Sequence, residues 1–103
     1  MGRLRLTEQA DHDLANIYVQ GVQTFGAAQA DRYIDDLLQA LDRIQDFPNI
    51  ARLRENITPA VRAYVFRSHV ILYDVKDGDE VVVVRIRHTH EDWLNLFQER
   101  DHP

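Results

Sequence analysis

No cysteine occurs in the 103 residues, which excludes disulfides and thiol catalysis from the outset. Lysine is nearly absent too: Lys76 stands alone, and every other basic side chain apart from histidine is arginine. The four glycines form no phosphate-cradling loop, and the single serine, Ser68, sits in no nucleophile-elbow pattern. No apolar run approaches the roughly eighteen residues that a membrane span requires. The stretch Met1-Gly2-Arg3-Leu4-Arg5-Leu6 carries no hydrophobic signal core, so a cytoplasmic setting is the expectation. There is no linker, repeat or low-complexity segment.

What is present is a globular composition, 45% hydrophobic and 28% charged, with room for one domain over residues 1–103. The net charge of −5 is unevenly spread. Residues 1–48 set eight carboxylates against Arg3, Arg5, Arg32 and Arg43, whereas residues 52–67 set Arg52, Arg54, Arg62 and Arg67 against Glu55 alone. A protein that lived on phosphate backbone would be basic overall. Direct sequence-specific nucleic-acid binding is therefore not expected.

The chain is organised around Glu80–His88. Four consecutive valines, Val81 to Val84, follow Asp77-Gly78-Asp79 and predict a strand buried on both faces, the centre of a sheet. Strict alternation would place Val82, Val84, Ile86 and His88 on one face and Val81, Val83, Arg85 and Arg87 on the other. Upstream, residues 3–6 alternate like a short edge strand, and Thr7 makes an N-cap with Glu8 in the first turn. Ala10, Leu14, Ile17, Tyr18, Gly21 and Phe25 form a helical stripe, closed by Gly26 in a left-handed conformation. Ala30, Tyr33, Ile34, Leu37, Leu41 and Ile44 form a second stripe, flanked by Leu38 and Phe47 and stopped at Pro48.

The short connection predicts an antiparallel helical hairpin. Residues 49–59 lack periodicity and read as a loop. Val61–Arg67 then alternates, Val70–Val75 forms the next strand, and Asp77-Gly78 turns into the last one. The expected class is α+β, in the order β-α-α-β-β-β, with the hairpin packed on one face of an antiparallel sheet. Thr89 is read as the cap of a last short helix with Trp93, Leu96 and Phe97 along its apolar edge.

Arg85 and Arg87 lie two apart, and Arg62 is expected to join them from a neighbouring strand. Such a cluster suits phosphate or an acidic peptide, although a solvent-facing arginine surface explains it equally well. His88 and His90 share strand spacing, but no third ligand is evident, so no metal site is expected. His88 is chemically able to act as a general acid or base, yet a lone histidine at a strand end is more often structural. No catalytic residue and no cofactor is assigned.

The order of elements, with Leu6-Thr7, Ala10, Asp13-Leu14, Ile17, Phe25-Gly26, Ala30, Tyr33, Pro48, Arg62, Tyr64 and Tyr73, resembles the ParE branch of the ParE/RelE toxin superfamily. Arg85-Ile86-Arg87-His88, with Asp92 downstream, is similar to that family's ending, and the resemblance runs from about residue 4 to residue 92. Arg87 departs from it, standing where the family usually has leucine, and Ile50–Pro59 lacks the glycine that relatives often carry. The resemblance implies a plasmid-stabilisation type toxin of a type II toxin–antitoxin pair. It would act on DNA gyrase and be held in a hetero-oligomer by a cognate antitoxin, ParD-like or related. Arg62, Arg85, Arg87 and His88 are the residues expected at the antitoxin or target contact.

Resemblance to the RelE branch would instead imply a ribosome-dependent mRNA endonuclease, an enzyme where the gyrase poison is not. The lone Lys76, the negative charge and the lack of any tyrosine after Tyr73 favour the gyrase-directed branch. An inactive member that only binds its antitoxin is the third reading.

Overall fold

The computed structural model describes residues 3–91. Its elements are β1 (Leu4–Leu6), α1 (Glu8–Phe25), α2 (Ala27–Asp46), β2 (Leu53–Arg54), β3 (Val61–Phe66), β4 (His69–Lys76) and β5 (Glu80–His88). The two helices pack on a five-stranded mixed sheet, ordered β1-β5-β4-β3-β2, and the class is α+β as expected. Trp93, Leu96 and Phe97, read as a terminal helix, lie outside the described residues.

Thr7 caps α1 as its position suggests. Its Oγ1 accepts the Ala10 amide at 3.1 Å and donates to the Val84 carbonyl at 2.8 Å, so one side chain ties the helix start to the last strand. At the other end Gly26 has φ 92° and ψ 163°, a positive φ but an extended ψ rather than the left-handed helical turn expected. Only glycine adopts that conformation without strain, and it lets α2 begin at the next residue. The helices come close at Gly21, where an added Cβ would meet the Ala30 Cβ at 3.3 Å.

The core between helices and sheet is built by Ala10, Leu37, Ala40, Leu41 and Ile44 against Ile71, Tyr73, Val81, Val83 and Ile86. In the first stripe Leu14 and Ile17 pack against it, but Phe25 at the helix end is 63% exposed. Tyr73 is fully buried, and its hydroxyl donates to the Pro48 carbonyl at 2.7 Å and accepts the Ala51 amide at 3.3 Å. That pair of bonds anchors the segment following α2 to the centre of the sheet. A smaller cluster of Ile57, Val61, Val70 and Leu72 fills the opposite face.

Four expectations about the sheet are corrected. β1 runs parallel to β5, because the hairpin between them carries the chain across and back, so the sheet is not wholly antiparallel. The central strand is β4, with β5 second and flanked by β4 and β1. Leu53 and Arg54, read as loop, pair with Arg62 and Val61 as β2, a strand too short to produce any periodicity. Alternation along β5 also breaks: Leu72 pairs with Arg85 but Tyr73 pairs with Val83, so Val84 is an extra residue in the ladder. This bulge is why Val81, Val83 and Ile86 all face the helices, against strict alternation.

Candidate functional site

β1 pairs with β5 only through Val83, which leaves the edge of β5 from Val84 onward to be covered by α1. Asp13 on α1 covers it. This carboxylate is 7% exposed, and its Oδ2 accepts the Ile86 amide at 3.0 Å as a neighbouring strand would. The bulge turns Arg85 to the face shared with Leu72, from which its guanidinium reaches past the edge to Asp13. Nε donates to Oδ2 at 2.7 Å and Nη2 to Oδ1 at 3.1 Å, a two-pronged pair. Arg87 adds a third cationic donor, Nη1 to Oδ1 at 3.1 Å, while its Nη2 donates to Glu91 Oε2 at 2.6 Å.

Burial pushes the Asp13 carboxyl up. The Arg85 hydrogen bonds, the Ile86 amide and the charges of Arg85 and Arg87 outweigh this and hold it below the ordinary carboxylate value. Glu91 is held low mainly by its bond from Arg87. Two arginines and two carboxylates thus balance in charge, and the arginines expected on an open surface are clamped inside the molecule. Arg87 Nε is buried without a hydrogen-bond partner, so Arg85 is the more completely held of the two.

Arg62 does not join them. It pairs with Tyr73 on the helix-facing side of the sheet, and its Nη1 donates to the Ala51 carbonyl at 2.6 Å. Arg62 and Arg85 therefore leave the sheet from opposite faces, and the expected three-arginine cluster does not form.

His88 lies elsewhere again, at the last rung of the β4–β5 ladder opposite His69. Together these rings line one end of a cleft of about 390 Å³ between the hairpin and the strand ends. Ile17, Gly21, Ala30 and Ile34 make its apolar wall, while Gln20 and Tyr33 add polar groups. The Tyr33 hydroxyl lies 2.6 Å from His69 Nδ1, and the Arg67 guanidinium stands 5.8 Å from the Tyr33 ring centre. Burial raises the Tyr33 hydroxyl, against the opposing effect of Ser68 and Arg67. Burial, then the neighbouring His88, lowers the His69 imidazole.

Among the described residues no group of three or more histidine, cysteine or carboxylate side chains is placed to hold a metal ion. No helix there is long and apolar enough to cross a membrane. Sequence reasoning missed Asp13, Tyr33 and His69 as members of sites. For Asp13 the signal was available, since it falls within the apolar stripe between Ala10 and Ile17.

Comparison with known proteins agrees with this architecture. The family model for the ParE toxin of type II toxin-antitoxin system, parDE, matches residues 4–93. The chain is 31% identical to Toxin ParE1 of Caulobacter vibrioides over 84 residues, covering 82% of this chain and 85% of the relative. It is 31% identical to Toxin ParE1 of Mycobacterium tuberculosis over 90 residues, covering 87% and 92%. Among solved structures, the chromosomal ParDE TA system from P. aeruginosa superimposes with a TM-score of 0.74 at 27% identity, covering 85% of this chain and 96% of that one.

Proposed function

The chain belongs to the ParE toxin family, and we propose that it is the toxin of a type II toxin–antitoxin pair, inhibits DNA gyrase in the cytoplasm and is neutralised by a cognate ParD-like antitoxin. The observation that carries the reading is the family match across residues 4–93, from β1 to beyond β5. Geometry supports action by binding rather than by cutting. A nuclease needs cations free to meet a scissile phosphate, whereas Arg85 and Arg87 are engaged by Asp13 and Glu91.

The antitoxin contact includes Arg62, Arg85, Arg87 and His88. Because Arg62 and Arg85 leave the sheet on opposite sides, one partner reaching all four must wrap around the domain. A segment that folds as it binds suits that task, since it gains large area against its ordering cost. His88 meets the partner directly at the cleft. Arg85 and Arg87 act chiefly by fixing the strand end that carries it.

Purified protein is expected to inhibit gyrase supercoiling and to leave ribosome-bound mRNA uncut. One arrangement favours the endonuclease alternative: Tyr33 and His69 form a close proton-sharing pair beside Arg67. Codon-specific mRNA cleavage that disappears in Tyr33→Phe would establish that reading instead. Full growth with the chain expressed alone, and no effect in either assay, would mark an inactive antitoxin-binding member.

A further inference from the structure

The end of the sheet carries three imidazoles in a row. His69 and His88 have ring centres 5.2 Å apart, as do His88 and His90. One of these rings, His88, has its Nδ1 fixed as an acceptor by what it bonds. The Tyr33 hydroxyl lies 2.6 Å from His69 Nδ1, a bond in which either group can be the donor. The His90 backbone amide, which can only donate, points at His88 Nδ1 at 3.2 Å. The His88 Nδ1 thus presents a lone pair to that amide.

The turn beyond β5 depends on the same residues. The His88 amide donates to Glu91 Oε1 at 3.0 Å, the Glu91 amide returns to the His88 carbonyl at 3.2 Å, and Thr89 donates twice to the Ser68 carbonyl. We propose that the His88–His90 contact, stacked against His69, is an acid-sensitive latch, which keeps the Thr89–Glu91 turn closed while the His88 Nδ1 accepts the His90 amide and releases it when that nitrogen takes up a proton.

A proton on His88 Nδ1 sets one N–H against another and breaks the bond from His90. It also places a charge against the His69 ring. Among the described residues, the groups around the stack give that charge little relief. From α2 come Tyr33, uncharged, and Asp36, which is paired with Arg67 at 3.0 Å. Arg67 itself, in the β3–β4 turn, and Arg87 on β5 are cations. Glu91 is the carboxylate that acts on His69, and it is already bound to Arg87 and to the His88 amide. The residues that α1 contributes to the cleft, Ile17, Gln20, Gly21, Thr24 and Phe25, do not titrate. Burial, then the neighbouring His88, holds the His69 imidazole below the ordinary histidine value, so His69 resists taking up a charge of its own.

The test is nuclear magnetic resonance on the full chain between about pH 7.5 and pH 5, the range in which histidine switches charge. Imidazole nitrogen shifts at the upper pH should show His88 protonated on Nε2, with its Nδ1 free to accept. On acidification the His90 and Glu91 amides should lose about tenfold or more in protection from hydrogen exchange, after correction for intrinsic rates, while Ala40 in α2 stays protected. His88→Asn keeps an oxygen able to accept the His90 amide but cannot be protonated, so its turn should stay closed across the range. A proton on Nδ1 of His88 at the upper pH, a turn whose protection does not change with pH, or the same pH dependence in His88→Asn would each overturn the latch. None of these outcomes depends on whether gyrase is the target.

Discussion

Asp13 shows what one side chain does when it replaces a strand. Where β1 ends, the edge of β5 would present an unpaired Ile86 amide and two arginines with no anion. The Asp13 carboxylate answers all three. Removing one member of a buried pair leaves its partners desolvated and alone, so Asp13→Ala should cost about 3 kcal/mol, at the lower end for such losses because both arginines keep some water. A denaturant midpoint within error of wild type would show that the clamp is not holding the strand. The folded pKa of Asp13 is depressed, so its contribution is complete above the unfolded value of about 3.9 and is lost as pH falls through the folded value. Below about pH 4, wild type should therefore lose stability more steeply than Asp13→Asn, which takes up no proton. In the sequence Asp13 reads as one more acid on a charged helix. Its place in the apolar stripe was visible, but its partners lie seventy-two and seventy-four residues away, and no local pattern reports a contact at that separation.

At the scale of elements, legibility followed periodicity. Helix α2 was readable because its stripe is long and its carboxylates keep to the other side; Leu37, Leu41 and Ile44 are buried while Leu38 and Phe47 stay outside, as their flanking positions suggest. Leu37→Ala removes a fully buried side chain between hairpin and sheet and should cost about 2–5 kcal/mol, measured by chemical denaturation. A change near zero would mean that the stripe packs elsewhere. Strand β5 was readable as an element but not in its facing. Four consecutive valines suit either face, so nothing in them marks the bulge at Val84, and one extra residue moves Ile86 into the core and sets both arginines on the sheet face away from the hairpin. β2 has only two residues, and its existence is decided by the hydrogen bonds that β3 offers rather than by its own composition. The parallel seating of β1 has the same character: three residues say strand, and only the crossover says which way it runs.

For the whole molecule, two faces and one edge divide the work. The hairpin covers one face of the sheet, the Ile57 cluster fills part of the other, and the Asp13 clamp closes the edge between them. Removing a charge that is internal should act on stability, whereas removing a group that a partner meets should act on affinity. Titration calorimetry with the cognate ParD-like antitoxin, beside denaturation of the free toxin, separates these effects. Arg85→Ala should lower stability by about 3 kcal/mol, and its binding loss should shrink when stability is restored by stabilising changes in α2. His88→Ala removes an exposed side chain at the cleft and should leave stability within about 0.5 kcal/mol while weakening binding tenfold or more, about 1.4 kcal/mol. Arg62→Ala should weaken binding as well, by loss of a contact further along the same, hairpin-facing side of the sheet, if a single partner spans both residues. Affinity unchanged in both His88→Ala and Arg62→Ala would place the antitoxin away from both residues. Loss in His88→Ala alone would confine it to the cleft.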